Sequence, residues 1–232
     1  PLFRSAHFVH QNYATVWMNE EASMLRAFAN TLYIALFSII GQMFISSLAA
    51  YSFAKINFKG KQVVFMLFLS SMMVPSQLTI IPRFMLFKTI GLYNNLWAII
   101  LPAFFGATSI FMLRQFYMGL PNDLIEAAKI DGAGHLRIFL RIMLPLTKAA
   151  LMSLIILAFI SSWNEYMAPL IFLVKKELYT VSQNIQWYML DEFKEHNLTM
   201  AAATSAIVPV VILFIVGQKY FVEGIATSGV KG

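Results

Sequence analysis

Charged side chains are scarce in this chain, and two places hold those with the clearest chemical potential. The first is Glu165 in SWNEYMAPL, the one acid in the apolar run 149–174. An ionised carboxylate is costly in an apolar medium, so such an acid faces a polar cavity or a partner. With Asn164 beside it, Glu165 reads either as a pathway residue or as one half of a structural pair between helices. The second place is residues 126–145, EAAKIDGAGHLRIFLRIMLP, where charge and glycine interrupt the grease. Pro121 suits a first helical turn and Asp123 complements its positive end, which predicts a helix reaching Gly132. Gly132 and Gly134 break that helix, and HLRIFLRIM predicts a second one that stops before Pro145. Ala127 and Ala128 beside Glu126 make a nearly flat surface with one acid, which suits docking into a cleft on another protein. An amphipathic helix lying on lipid has the same pattern.

Other chemistry is not signalled. The chain has no cysteine, so disulfides and thiolate metal sites are excluded. His7, His10, His135 and His196 are scattered without metal-ligand spacing. Gly60-Lys61-Gln62 lacks the upstream glycine and the Ser/Thr of a phosphate-cradling loop, so no ATP site is expected. No nucleophile sits beside a base at a telling spacing. Gln42 and Asn30, polar groups within apolar runs, suit hydrogen bonds between helices. Trp97, Trp163, Trp187 and Tyr188 fit an interfacial aromatic belt, and stacking on sugar rings is their other reading.

These residues need elements to position them, and composition says which. The chain is 59% hydrophobic and 12% charged, with a mean hydropathy of +0.69. Soluble domains carry about 25% charged residues, so lipid is the solvent implied here. The net charge of +6 is spread between apolar runs rather than gathered on one face. That points to membrane topology and lipid, not to nucleic acid. Four uncharged runs, 27–54, 62–82, 89–113 and 197–218, meet the ~20 residues a spanning helix needs. The run 149–174 does so by carrying Glu165. Stretches such as LIILAFI do not alternate, so a β-barrel is excluded and the expected fold is an all-α polytopic bundle. Pro75, Pro82, Pro102, Pro169 and Pro209 in or beside the spans predict bent, cavity-lining helices.

Lys55, Lys59 and Lys61 form a short basic loop without an acid, and Arg114, Lys129, Arg137, Arg141 and Lys148 populate the second charged segment. With both on the cytoplasmic side the spans alternate. Segments 1–26, 83–95 and 175–196 then lie outside, with Glu20, Glu21, Glu177, Asp191, Glu192 and Glu195 among them. The expected organisation is an extracytoplasmic segment 1–26, a membrane domain 27–222 with a cytoplasmic loop 119–148, and a cytoplasmic tail 223–232. The chain begins at Pro1 without a signal-peptide pattern, and the reading is that its true N-terminus is absent.

The pattern Glu126-Ala127-Ala128, three residues, Gly132, nine residues, Ile142-x-Leu144-Pro145 resembles, without a gap, the EAA loop of the membrane permeases of ATP-binding-cassette importers. SSLAAYSFAKINFKG, MMVPSQLTIIP, LRQF, SWNEY, ELYTVSQ and YFVEGIATSGVKG extend the resemblance over nearly the whole chain, toward the sugar-importing branch similar to the second membrane subunit of the maltose permease. The resemblance implies six spans, of which five are visible and the first is absent. It makes Glu126, Ala127, Ala128, Gly132, Ile142, Leu144 and Pro145 an ATPase-coupling loop. It implies no cofactor on this chain, with ATP and Mg bound by a partner ATPase. The implied partners are a second homologous permease, two ATPase subunits, an extracytoplasmic solute-binding protein and the lipid bilayer of a prokaryotic inner membrane. The function so implied is alternating-access import of a carbohydrate or related polar solute. An ion-coupled secondary transporter and a non-transport membrane scaffold are the alternatives. The first needs more intramembrane ionisable residues and two repeated halves, and the second has no use for an EAA loop.

Overall fold

A computed structural model describes the backbone of residues 10–190 and 196–229 and the side chains of 10–190 and 196–218. Residues 1–9, Asp191, Glu192, Glu195 and the side chains of the 223–232 tail lie outside the described residues. Among the described residues the chain is helical, as its unalternating apolar runs require. The elements are α1 (Gln11–Met18), α2 (Met24–Lys55), α3 (Lys61–Ser70), α4 (Ser76–Thr89), α5 (Trp97–Ala103), α6 (Ala107–Gly119), α7 (Asp123–Ile130), α8 (His135–Ile138), α9 (Leu144–Leu146), α10 (Lys148–Trp163), α11 (Met167–Phe172), α12 (Val181–Leu190) and α13 (His196–Gly229).

The long helix α2 is the axis of the molecule. Its small residues Ser46, Ser47 and Ala50 are buried, which lets α6 and α10 approach closely. Gly41 packs directly under the Phe104 ring, a position where a Cβ would collide with that ring. Around the C-terminal half of α2, a core gathers Ala50, Tyr51, Leu113, Tyr117, Ile125, Ile138, Phe139 and Met143. Around its N-terminal end, Val16, Met24, Trp163, Val181 and Tyr188 form another. The two ends of α2 thus define the two ends of the bundle.

Four of the predicted runs are helical over most of their length and the run 89–113 becomes helix only from Trp97, residues 90–96 being turns; three of the runs are broken. The run 62–82 divides at Val74-Pro75 into two helices at 95° to one another. Pro75 has no N–H to continue the ladder, and the residue before it is held extended (Val74 ψ 114°). The run 89–113 divides at residues 104–106 into α5 and α6, and the helix extends to Gly119. The run 149–174 divides at 164–166 into α10 and α11. Pro82 and Pro209, by contrast, lie inside unbroken helices. By length and apolarity α2, the nearly straight α5–α6 segment Trp97–Gly119 and His196–Gln218 of α13 each cross a membrane, and there are five spans if the bent pairs 61–89 and 135–163 (77° at Thr147) each count as one.

Two further expectations need correction. The second loop helix does not stop before Pro145. It passes through a π-turn, Phe139–Met143, and ends at Leu146. The wider turn bonds Leu144 N–H to Phe139 O, and the ladder passes the residue that cannot donate. The aromatic belt also loses members. Trp163 is 3% exposed and gives its indole N–H to Ala206 O at 3.1 Å, while its ring stacks on Phe159. Tyr188 is likewise buried, donates to Ala22 O at 3.0 Å, and burial pushes its hydroxyl up to about 12. A buried aromatic with a polar tip needs such a partner.

Candidate functional site: a charged end loop and a cavity at the helix breaks

The charged loop is built onto the bundle rather than laid beside it. Lys55, at the end of α2, donates to Leu120 O at 2.6 Å and to Asn122 Oδ1 at 2.7 Å, fixing the entry to α7. Tyr51, one turn earlier, has its hydroxyl 3.1 Å from His135 Nδ1 at the start of α8. Arg114 donates to Phe53 O at 3.3 Å and lies over the Phe65 ring. The lysine loop and the 119–148 loop therefore share one end of the molecule, as the topology reading requires.

Helix α7 has Asp123 and Glu126 in its first turn and Lys129 in its last, in accord with its dipole. It closes on Gly132 at φ +78°, with Ala133 N–H on Ala128 O at 2.9 Å and Gly132 N–H on Lys129 O at 3.0 Å. That paired bonding is a Schellman cap, and a left-handed glycine supplies it at little cost. The sequence expectation that both alanines face outward is half right. Glu126 and Ala127 are exposed, but Ala128 is 8% exposed and packs with Ile125 in the chain's own core. The helix period explains the difference, since 125 and 128 lie on the inner face and 126, 127 and 130 on the outer. Ile130 is 87% exposed, an apolar knob beside Ala127 that sequence reasoning passed over. Of the remaining motif residues, Ile142 and Leu144 are half-buried and Pro145 is exposed.

The second site is a cavity of about 450 Å³ where the broken runs meet. Ser76 and Gln77 come from just after the Pro75 bend, Phe105 and Gly106 from the α5–α6 break, Glu165 from the α10–α11 break and Ala168 from the first turn of α11. From α2, Ser38 and Gln42 complete the wall. In a membrane, broken helix is tolerated where it lines such a cavity. Gln42 crosses to Ser109 Oγ at 2.9 Å, and its side chain fills the space a Cβ on Gly106 would need. This is the interhelical bond expected of it. Asn30, by contrast, ties α2 to the segment before α12, donating to Glu177 O at 2.8 Å and Tyr179 O at 3.0 Å.

Glu165 caps α11, accepting from Ala168 N–H at 3.0 Å. Asn164 turns back to Ile160 O at 2.8 Å and lines a neighbouring pocket with Trp163 and Ser182. The pair adjacent in sequence thus serves two different pockets. Its position after Pro82 puts Arg83 outside the spans by sequence, yet α4 carries it into the same cavity as Glu165. The signal was available: PSQLTIIPRF places the arginine one turn after Thr79 and two turns after Ser76, on the polar stripe of one helix.

At the other end, Lys176 pairs with Glu21 at 2.6 Å. The hydrogen bond from Lys176 holds the Glu21 carboxyl below its ordinary range, and the same bond holds the Lys176 ammonium above its own.

Residues 42–227 match the family model for the binding-protein-dependent transport system inner membrane component. The chain is 36% identical over 218 residues to an arabinooligosaccharides transport system permease protein of Bacillus subtilis, covering 94% of this chain and 78% of that one. It is 32% identical to a melibiose/raffinose/stachyose import permease of the same organism (95% and 80% covered). It is 30% identical to an sn-glycerol-3-phosphate transport system permease of Escherichia coli (94% and 80% covered). Its fold superposes with a TM-score of 0.81, at 24% identity over 90% of this chain and 79% of the other, on a chain of a bacterial ABC transporter involved in the import of the acidic polysaccharide alginate. The ion-coupled transporter and scaffold readings fall away: this chain belongs to the inner-membrane permease family of binding-protein-dependent ABC importers.

Proposed function

We propose that this subunit forms part of the pathway by which a carbohydrate or related polar solute is imported by alternating access. The observation that carries the reading is the cavity at the helix breaks, with Ser38, Gln42, Ser76, Gln77 and Glu165 on its wall. A solute rich in hydroxyls needs such a surface to leave water, and an apolar channel would not supply it. The sugar transporters among the relatives support the choice of solute. A second homologous permease completes the pathway, and a solute-binding protein delivers solute at the end marked by the Glu21–Lys176 pair. ATP and Mg are bound by two ATPase subunits, which dock on α7.

The docking face is Glu126, Ala127 and Ile130, with Gly132 setting the turn and Ile142, Leu144 and Pro145 supporting the return helix. Lys55 and Tyr51 make α2 the link, since the helix that holds the loop at one end lines the cavity near its middle. ATPase closure then moves the loop, α2 and the cavity wall together. Co-purification of the ATPase with Glu126→Ala, together with ATP-driven uptake in the same membranes, tests this. Truncating one member of a buried interfacial ion pair costs about 2–5 kcal/mol. The ATPase is expected to be lost while the subunit still inserts. Normal binding and uptake would make α7 an interfacial lipid helix.

A further inference from the structure

We infer that Arg83 and Glu165 form an open charge clamp whose ligand is a neutral, polyhydroxylated solute. The inference rests on the pathway reading of the same cavity and adds the residues and the solute class. Both side chains line the cavity, from α4 and from the α10–α11 break. Among the described residues no ion pair joins them. Glu165 spends one oxygen on Ala168 N–H. Arg83 lies 4.9 Å from the Phe172 ring centroid, which steers the guanidinium without using its N–H donors. Its Nε is buried and has no hydrogen-bond partner among the described residues, and neither has Ser38 Oγ on the α2 side of the same wall. Buried polar atoms are nearly always paired, so two at one cavity mark a place where a ligand supplies the partners.

The chemistry of the two ends selects that ligand. A guanidinium donates and cannot accept, whereas a carboxylate accepts and cannot donate. A hydroxyl does both, so two hydroxyls on one molecule satisfy Arg83 and Glu165 together with charge-assisted bonds. An anion would gain Arg83 but face Glu165, and a cation would meet the reverse. A zwitterion would match both charges, but the rest of the polar wall, Ser38, Gln42, Ser76, Gln77, Ser161 and Ser162, offers uncharged hydrogen-bonding groups that further hydroxyls can meet and the apolar body of a betaine cannot. Ile99 and Phe105 add apolar surface. A rim of hydroxyls around apolar C–H faces is the surface of a sugar ring.

The test uses the complete importer with its binding protein in proteoliposomes, and radiolabelled melibiose, raffinose, arabinobiose, glycerol 3-phosphate and glycine betaine as probes. Uptake is expected for neutral sugar and not for the anion or the zwitterion. Arg83→Gln and Glu165→Gln should each lower it at least tenfold, with a raised half-saturating concentration, while Arg83→Lys keeps a measurable share. Gln at 165 retains an oxygen for Ala168 N–H, so its loss of uptake reports charge rather than the cap. Uptake of glycerol 3-phosphate or betaine instead, no uptake of any neutral sugar, or full uptake by both Gln variants would overturn the inference. Retained ATPase co-purification in those cases would leave the importer reading standing, and its loss from the unaltered complex would fail that reading separately.

Discussion

The loop at one end of α2 and the cavity near its middle are built by opposite means. The loop is local. Within residues 119–148 the chain caps its own helix and turns on its own glycine, and Ile125, Ala128, Ile138 and Phe139 seat that preformed unit on α2 and α6. The cavity is collective, since its walls come from segments as far apart as Ser38 and Glu165 and none of them encloses it alone. A local device presents one rigid face to a partner. A collective one changes shape whenever any contributing helix shifts, which is what a gated pathway needs. The difference predicts where substitutions act: in the loop, on assembly; in the cavity, on transport.

The largest expected effect sets the two alanines against each other. Ala127→Trp places its bulk on the exposed face and should abolish ATPase co-purification with no change in the subunit's melting temperature. Ala128→Trp drives the same bulk into a packed core, where overpacking costs about 1–3 kcal/mol or more, and should lower that temperature. Thermal unfolding of the detergent-solubilised subunit together with the pull-down reads both. Equal behaviour of the two variants would erase the inner and outer faces of α7.

Gly132 gives a smaller effect that sharpens the same point. A Cβ added there meets nothing within 4 Å, so the cost of substitution lies in the backbone at φ +78°. That cost is roughly 1–2 kcal/mol for an ordinary L-residue. Gly132→Val should therefore redirect the turn and weaken ATPase binding, whereas Gly132→Asn, which tolerates the left-handed region, should keep most of it. Identical losses for both would mean that space, not backbone angle, is limiting.

The smallest effect belongs to the Glu21–Lys176 pair. Its carboxylate is held below its ordinary range, so its contribution is fully present above about pH 4.3 and is lost as pH falls through the depressed value. Its ammonium is held above its own range, so its contribution is present below about pH 10.4 and is lost as pH rises through the raised value. Both groups are solvent-exposed, and such pairs are screened. Glu21→Gln should leave the melting temperature at neutral pH unchanged and flatten its dependence on pH below 5. A substantial fall at neutral pH would give this end of the molecule a structural weight the geometry does not.

What the sequence makes legible follows the same division. The loop is readable because Pro121, Asp123, Gly132 and Gly134 each dictate local backbone, and a helix period sorts its faces. Even so, residue order alone does not tell which of two adjacent alanines points inward, because that depends on where α2 lies. Of the cavity, Glu165 stands out as a lone acid in a long apolar run. Arg83 does not, because it falls at the edge of a run that looks finished at Pro82. Only the bend at Pro75 turns α4 so that the arginine and the glutamate meet one space. Pro145 is the reverse case, a residue whose usual effect is overridden by a π-turn that sequence periodicity does not announce.

Because the chain has no cysteine of its own, one introduced at Ser162, on the cavity wall, reports access without background. Labelling of Ser162→Cys by a membrane-impermeant thiol reagent, in the assembled importer with and without ATP and vanadate, tests whether loop and cavity act as one device. Reactivity from one side of the membrane is predicted to exchange for reactivity from the other on ATP binding, and Glu126→Ala is predicted to abolish the exchange. Labelling from the same side at the same rate in both nucleotide states would contradict the account.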